Sequence, residues 1–274
     1  MDQYVLAGNP VAHSKSPQIH AAFAKATGQD MDYGKLLIPV DDFKEGVAAF
    51  LAQGGKGLNV TVPFKEDAWK IADIRSERAT LAGAVNTLYV NEQGQLCADN
   101  TDGFGIVTDI TKNYGVDLTG KRILMMGAGG AVRGAILPFL DEKPAEVVIA
   151  NRTVSKAQDL ADTFAEYGLV SASAYDDLNG YFDVIVNGTS ASLNGTVPVM
   201  PDGLVDANSL CYDMMYGAEP TTFLRWAQAQ GVNKCVDGLG MLVEQAAESF
   251  YIWRGVRPET AEVTRSIREQ LLSA

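Results

Sequence analysis

Cysteine and histidine are scarce: Cys97, Cys211 and Cys235 are the only cysteines in 274 residues, with two histidines and no C-x-x-C pair. So scattered and odd a set offers neither a disulfide framework nor a zinc cluster, which points to a reducing cytoplasm. Positive charge is also short. Lys and Arg total 22 against 34 Asp and Glu, a formal net charge of −12. That field repels phosphate backbones and anionic lipid, so neither nucleic acid nor a membrane surface is expected as a partner. No run of about 18 apolar residues occurs, and Met1-Asp2-Gln3-Tyr4 lacks the basic-then-apolar pattern of an export signal. Apolar residues are plentiful, at 47%, and the length suits about two domains with real cores.

Short apolar runs alternate with amphipathic segments, the pattern of an α/β protein whose mainly parallel sheets are covered by helices. In the first third, residues 4–7, 36–40 and 57–62 read as strands. Ser16-Pro17 supplies a cap and a first-turn proline for a helix ending near Gly28. Asp41 can cap a second helix, which presents Phe43, Val47 and Phe50 on one face and stops at Gly54-Gly55. Residues 86–90 and 95–98 flank Asn91-Glu92-Gln93-Gly94 as a hairpin. A helix over 103–114, ended by Gly115, opens a second series, and the domain boundary falls near residue 102. Strands at 122–126, 147–150, 183–187, 210–214 and 234–236 predict a five-stranded, doubly wound parallel sheet. Helical spacing over 241–253 and from about Pro258 predicts two further helices, which periodicity alone assigns to neither domain.

The strand Ile123-Leu124-Met125-Met126 runs directly into Gly127-Ala128-Gly129-Gly130-Ala131 and then an apolar helical stretch. Glycines there let the backbone approach a pyrophosphate at a helix N-terminus, although the usual third glycine or alanine position falls on Val132. About 20 residues on, where a carboxylate would bind the ribose of NAD, stand Asn151-Arg152-Thr153 and then Lys156. Two cations and no carboxylate suit the 2′-phosphate of NADP. Read blandly, the same cations merely begin a solvated helix.

Polar clusters lie at the ends of the first-domain strands, where α/β sheets place ligands: Ser14-Lys15-Ser16, Asn59 through Lys65, Asn86-Thr87 and Asp99 through Asp102. Two serines one residue apart before a helix can aim their hydroxyls and first-turn amides at a carboxylate, while Ser16 reads equally well as a plain helix cap. Lys65, just past the strand end at Val62-Pro63, and Asp102 can share one proton if they face one site; singly, each reads as a surface ion-pair member. His13 beside Ser14 lacks a G-x-S-x-G elbow and does not make a nucleophile pair.

Taken together these residues resemble the shikimate dehydrogenases, NADP-dependent oxidoreductases of aromatic biosynthesis. The resemblance covers essentially the whole chain. Its carriers are Gly8-Asn9-Pro10 with His13-Ser14-Lys15-Ser16-Pro17, Asn59-Val60-Thr61-Val62-Pro63-Phe64-Lys65, Gly83-Ala84-Val85-Asn86-Thr87, Asn100-Thr101-Asp102-Gly103, the glycine turn, Asn151-Arg152-Thr153, and Asp237-Gly238-Leu239-Gly240-Met241. It implies a substrate domain of residues 1–102 completed by C-terminal helices over 239–274, a Rossmann-like NADP domain over 103–238, and a site in the cleft of a monomer or homodimer. The implied reaction is the reversible NADPH-dependent reduction of 3-dehydroshikimate to shikimate. Carried onto matching positions, Ser14 and Ser16 hold the substrate carboxylate with Tyr216, while Thr61, Asn86 and Gln245 bind ring hydroxyls. Lys65 and Asp102 form the catalytic pair, Lys65 handling the proton. Cofactor contacts fall to Gly127, Ala128, Gly129, Gly130, Ala131, Asn151, Arg152, Thr153 and Lys156, with Met214 and Gly238 near the nicotinamide, and Glu77 also approaches the cofactor. Two departures stand out: Lys156 where the family often has Arg, and Asn187-Gly188-Thr189-Ser190 in place of Asn-Ala-Thr-Ser. A relative using quinate and NAD, and a non-catalytic metabolite sensor, are the other readings.

Overall fold

In the computed structural model of the chain, residues 1–191 and 195–273 are described. The chain divides into two compact units, Met1–Gly105 with Val243–Arg265 and Ile106–Leu242 with Ser266–Ala274.

The first unit is built on six strands, β1 (Asp2–Gly8), β2 (Met31–Leu37), β3 (Gly55–Val60), β4 (Ile74–Arg75), β5 (Thr87–Val90) and β6 (Leu96–Asp99), in the order β2-β1-β3-β5-β6-β4. β1 pairs in parallel with β2 and β3, whereas the β5–β6 hairpin runs antiparallel to β3 and within itself. Helix α1 (Ser16–Thr27) has Pro17 in its first turn and ends at Gly28, whose φ of 66° permits the left-handed cap. It buries Ile19, His20, Phe23 and Ala24. α2 (Phe43–Ala52), α3 (Lys65–Ile71) and α4 (Glu77–Ala82) complete the first stretch. Ile38, Phe43, Val47, Leu58, Phe64 and Leu88 pack into one core of this unit.

Several local expectations are revised. The second strand lies at Met31–Leu37 rather than 36–40, because Met31 and Tyr33 alternate inward while Leu37 and Val40 are 62% and 60% exposed. An edge strand needs only alternate apolar positions, so its signal is weaker than the apolar run beside it. The third strand ends at Val60, two residues earlier than expected. Neither expected cap forms: Ser16 is the first helical residue after Lys15, and the cap position of α2 is Asp42, without a side-chain bond. α3, β4 and α4 fill a stretch for which periodicity offered no assignment.

α5 (Asp102–Thr108) continues into a π-helical turn at Asp109–Asn113, so the expected helix over 103–114 changes pitch midway. The second unit holds β7 (Arg122–Met126), β8 (Glu146–Ala150), β9 (Val170–Ser173), β10 (Val184–Asn187), β11 (Leu210–Asp213) and β12 (Lys234–Asp237), all parallel, in the order β12-β11-β10-β7-β8-β9. The sheet therefore has six strands, not five. The additional one, Val-Ser-Ala-Ser, is a half-buried edge strand with too little apolar content to announce itself. α6 (Gly130–Asp141), α7 (Val154–Phe164) and α8 (Thr222–Ala229) cover the sheet. Central strand β7 is buried on both faces, as a parallel sheet between helices requires.

The C-terminal segment folds as α9 (Leu239–Arg254) and α10 (Ala261–Leu272). The sequence grouped 239–274 with the first domain, whereas residues 239–242 and 266–274 fall in the second unit. Arg268 shows why the tail belongs there: its guanidinium bonds the Gly217 carbonyl at 2.9 Å and Asp237 Oδ1 at 2.5 Å. Among the described residues no helix is long and apolar enough to cross a membrane.

Candidate active site

Lys65 opens α3 after the loop that follows β3, Asp102 opens α5 a short turn after β6, and the first unit brings them together. Lys65 Nζ lies 2.5 Å from Asp102 Oδ2, with the two side chains 32% and 14% exposed. The other carboxylate oxygen, Oδ1, accepts from Asn86 Nδ2 at 2.9 Å. The Asn86 amide cannot be flipped, because its Oδ1 accepts the Thr101 N–H at 2.9 Å. Asn86 Nδ2 also approaches Thr101 Oγ1 at 2.8 Å and Gln245 Oε1 at 3.2 Å. Four separated sequence positions thus converge: Lys65, Asn86, Asp102 and, from α9, Gln245. Chemically this is an ammonium held by a carboxylate whose own orientation is set by a buried amide.

A second polar chain runs from the serines toward the same place. Ser14 Oγ donates to Ser16 Oγ at 3.1 Å and accepts the Ser16 N–H at 3.2 Å. Tyr33, hydrogen-bonded to Ser16, donates to Asn59 Oδ1 at 2.8 Å. Asn59 Nδ2 donates to the Asn86 carbonyl at 3.0 Å, so its Oδ1 must face Tyr33 and His20. His20 therefore carries its proton on Nε2, 3.1 Å from that oxygen. Burial holds the ring neutral, pushing its pKa down to about 3. It stacks on Tyr33 at 4.2 Å between ring centroids, a structural role inside the first unit. Thr61 follows β3, its amide donating to the Ala7 carbonyl at 3.0 Å.

In the second unit, the carboxyl ends of β7, β8 and β10 open on a groove of about 720 Å³ lined by the 127–131 turn, Asn151, Arg152, Tyr175 and the loop after β10. Gly129 caps α6 with no side chain, and a Cβ at Gly129 or Gly130 would meet nothing within 4 Å. Backbone N–H groups of a twelve-residue helix therefore face open space, as a bound pyrophosphate requires. Arg152 is exposed beside the groove, and among the groove's lining residues there is no carboxylate. These residues fit NADP: the turn would hold the pyrophosphate, and Arg152 the 2′-phosphate. Thr153 and Lys156 start α7 as exposed residues and do not line the groove.

Gly238 packs against the chain at Met214, where an added Cβ would strike the Met214 carbonyl. Tyr216 is half-buried in the second unit, its phenol pKa raised by burial and then by the Asp237 charge. Glu77 is the exposed first residue of α4, in the first unit. Sequence reasoning did not single out Tyr175 or Ser249, and it gave Thr101 only as part of a motif. Tyr175 lines the groove with its pKa pushed up to about 12 by burial, and Ser249 bonds Asn59 and Thr87 at 3.0 and 2.7 Å. Helical spacing from Gln245 was the available clue to Ser249. Tyr175 carried none, because β9 was not recognised. Among the described residues no group of three or more His, Cys, Asp or Glu converges on a metal position.

Comparison with known proteins agrees along the chain. Residues 6–88 match the family described as shikimate dehydrogenase substrate binding domain, 109–197 that described as shikimate / quinate 5-dehydrogenase, and 238–268 that described as shikimate 5′-dehydrogenase C-terminal domain. A Hahella chejuensis protein named shikimate dehydrogenase (NADP(+)) is 58% identical over 98% of this chain and 99% of its own. The crystal structure of an Ael1 enzyme from Pseudomonas putida superposes with a TM-score of 0.91 at 47% identity, covering 99% of this chain and 98% of that one. The Thermus thermophilus shikimate 5-dehydrogenase, solved with NADP(H) and shikimate, superposes with a TM-score of 0.83 at 30% identity over 99% and 100%.

Proposed function

The chain belongs to the NADP(+)-dependent shikimate dehydrogenase family, and from that premise we propose that its reaction is carried by the Lys65–Asp102 pair. The protein is an NADP-dependent oxidoreductase of the shikimate pathway, interconverting 3-dehydroshikimate and shikimate. The observation that carries the assignment is the 2.5 Å contact of Lys65 with a carboxylate whose other oxygen is held by Asn86.

NADP(H), when bound, supplies the hydride chemistry. Lys65 gives a proton to the substrate oxygen as its carbonyl becomes an alkoxide, and takes it back when shikimate is oxidised. Asp102 keeps the ammonium aimed and balances its charge. Asn86 and Gln245, which share a hydrogen bond, bind ring hydroxyls together with Thr61. Ser14 and Ser16 hold the substrate carboxylate, joined by Tyr216. For the cofactor, Gly127 to Ala131 and Asn151 bind the backbone of the dinucleotide, and Arg152 reads the 2′-phosphate with help from Thr153 and Lys156. Met214 and Gly238 stand at the nicotinamide end, and Glu77 also approaches the cofactor. The substrate domain corresponds to the first unit, Met1–Gly105 with Val243–Arg265, and the NADP domain to the second, Ile106–Leu242 with Ser266–Ala274. The enzyme works as a monomer or homodimer in the cytoplasm, which its three free cysteines support.

The test is the loss of NADPH absorbance with 3-dehydroshikimate, run beside NADH and, in the oxidative direction, with shikimate against quinate. Turnover confined to NADPH and shikimate chemistry is expected. Comparable NADH or quinate turnover assigns the protein to the dual-specificity branch, and ligand binding without turnover to a metabolite sensor.

A further inference from the structure

Segment 99–104, which carries Asp102, is gripped on both sides of that residue. Three residues before it, Asp99 receives a two-point bond from Arg78: Nε to Oδ1 at 2.6 Å and Nη2 to Oδ2 at 2.9 Å. Asp99 Oδ1 also accepts the Asn100 N–H at 2.7 Å, and Asn100 Oδ1 accepts the Asp102 N–H at 3.1 Å. Two residues after Asp102, the Phe104 ring lies under two cations, Arg78 at 5.6 Å and Arg257 at 5.3 Å from its centroid. Glu248, on α9, joins the two arginines: Oε1 accepts from Arg78 Nη2 at 3.0 Å and Oε2 from Arg257 Nη2 at 2.7 Å. Two cations and two carboxylates balance, and both Nη2 hydrogens of Arg78 are used.

We propose that Arg78 and Arg257, bridged by Glu248, form a clamp that positions the Asp102 carboxylate for Lys65. Both are positioning residues, because their contacts end on Asp99, Glu248, Phe104 and, for Arg257, also the Tyr251 ring at 4.4 Å. Largely buried ion clusters add little net stability compared with apolar side chains of similar volume, so fixed geometry is what this one supplies. A reacting pair is sensitive to that geometry, since a misplacement of about 1 Å can lower a rate by about 10²-fold. Lysine at position 78 keeps the charge but cannot reproduce a planar fork that reaches Asp99 twice and Glu248 once. The inference rests on the assignment of Lys65 and Asp102 as the catalytic pair.

The experiment is steady-state reduction of 3-dehydroshikimate by Arg78→Lys, Arg78→Ala, Arg257→Met and Asp102→Asn, each checked for folding by circular dichroism. Arg78→Lys is expected to lose about tenfold or more in kcat with both KM values within about threefold, the signature of a lost positioning contact. Millimolar guanidinium is expected to restore part of the kcat of Arg78→Ala, which simple destabilisation would not allow. Arg257 is 42% exposed, so its variant keeps the test open if substitutions at 78 do not fold, and about a threefold fall in kcat is expected there. Unchanged kcat in the folded clamp variants, or a loss that only follows the unfolded fraction, overturns the clamp. Unchanged kcat in Asp102→Asn overturns instead the assignment of the pair, and the clamp with it.

Discussion

Asn86 donates from Nδ2 to Asp102 Oδ1 at 2.9 Å and so leaves Oδ2 to Lys65, 2.5 Å away. The carboxylate has one oxygen for orientation and one for the ammonium. Lys65→Ala is therefore expected to lower kcat by about 10²- to 10⁴-fold, the usual worth of a positioned acid or base, with a far smaller change in the KM for 3-dehydroshikimate. Initial rates over both substrates check it, and a variant with normal turnover removes Lys65 from the chemistry.

Two glycines of the second unit separate binding from folding. Gly129 has an extended backbone, and a Cβ there would enter open space in front of α6. Gly129→Ala should keep the melting temperature while raising the Kd for NADPH, read by cofactor fluorescence. Gly238→Ala should do the reverse first: its Cβ would strike the Met214 carbonyl, and overpacking of this kind destabilises by about 1–3 kcal/mol in urea unfolding.

Arg152 is the cation at the end of β8, and Lys156 stands exposed a turn into α7. Hydrogen bonds to charged groups contribute about 1.5–3 kcal/mol, less where water competes. Arg152→Ala is expected to weaken NADPH binding about tenfold and NADH binding hardly at all, with Lys156→Ala showing a smaller difference. Equal losses for both cofactors would mean that Arg152 does not read the 2′-phosphate.

His20 titrates at about 3 in the folded chain, against 6.5 when exposed, because burial disfavours the imidazolium. Between those values the unfolded chain binds the extra proton, so stability rises with pH there. This contribution is complete above about 6.5 and is lost as the pH falls toward 3, with a slope of up to about 1.4 kcal/mol per pH unit. Urea unfolding of His20→Gln across that window should show a flatter pH dependence than the parent, and an identical slope would refute the assignment.

How legible the molecule is from its sequence depends on the kind of signal. Strand β7 and the turn after it were readable to the residue, because a buried parallel strand is a continuous apolar run and glycines mark the turn that follows. Strand β9 was not, since Val170-Ser171-Ala172-Ser173 at a sheet edge needs no second apolar face. Asn86 stood in a family motif and Gln245 was carried over from the resemblance, whereas Arg78 and Arg257 lie in no motif that the sequence singled out.

The sequence by itself determined the α/β class, the two series of strands and the residue types for a proton-handling lysine and an NADP groove. Local propensity and periodicity are properties of neighbours in the chain, and they suffice for that. Tertiary structure alone decided which amide orients the Asp102 carboxylate toward Lys65, and that the tail is divided between two units. Those facts depend on side chains far apart in sequence meeting within 3 Å, as Asn86 and Asp102 do across a hairpin. Hydrogen-bond geometry at that range is set by packing.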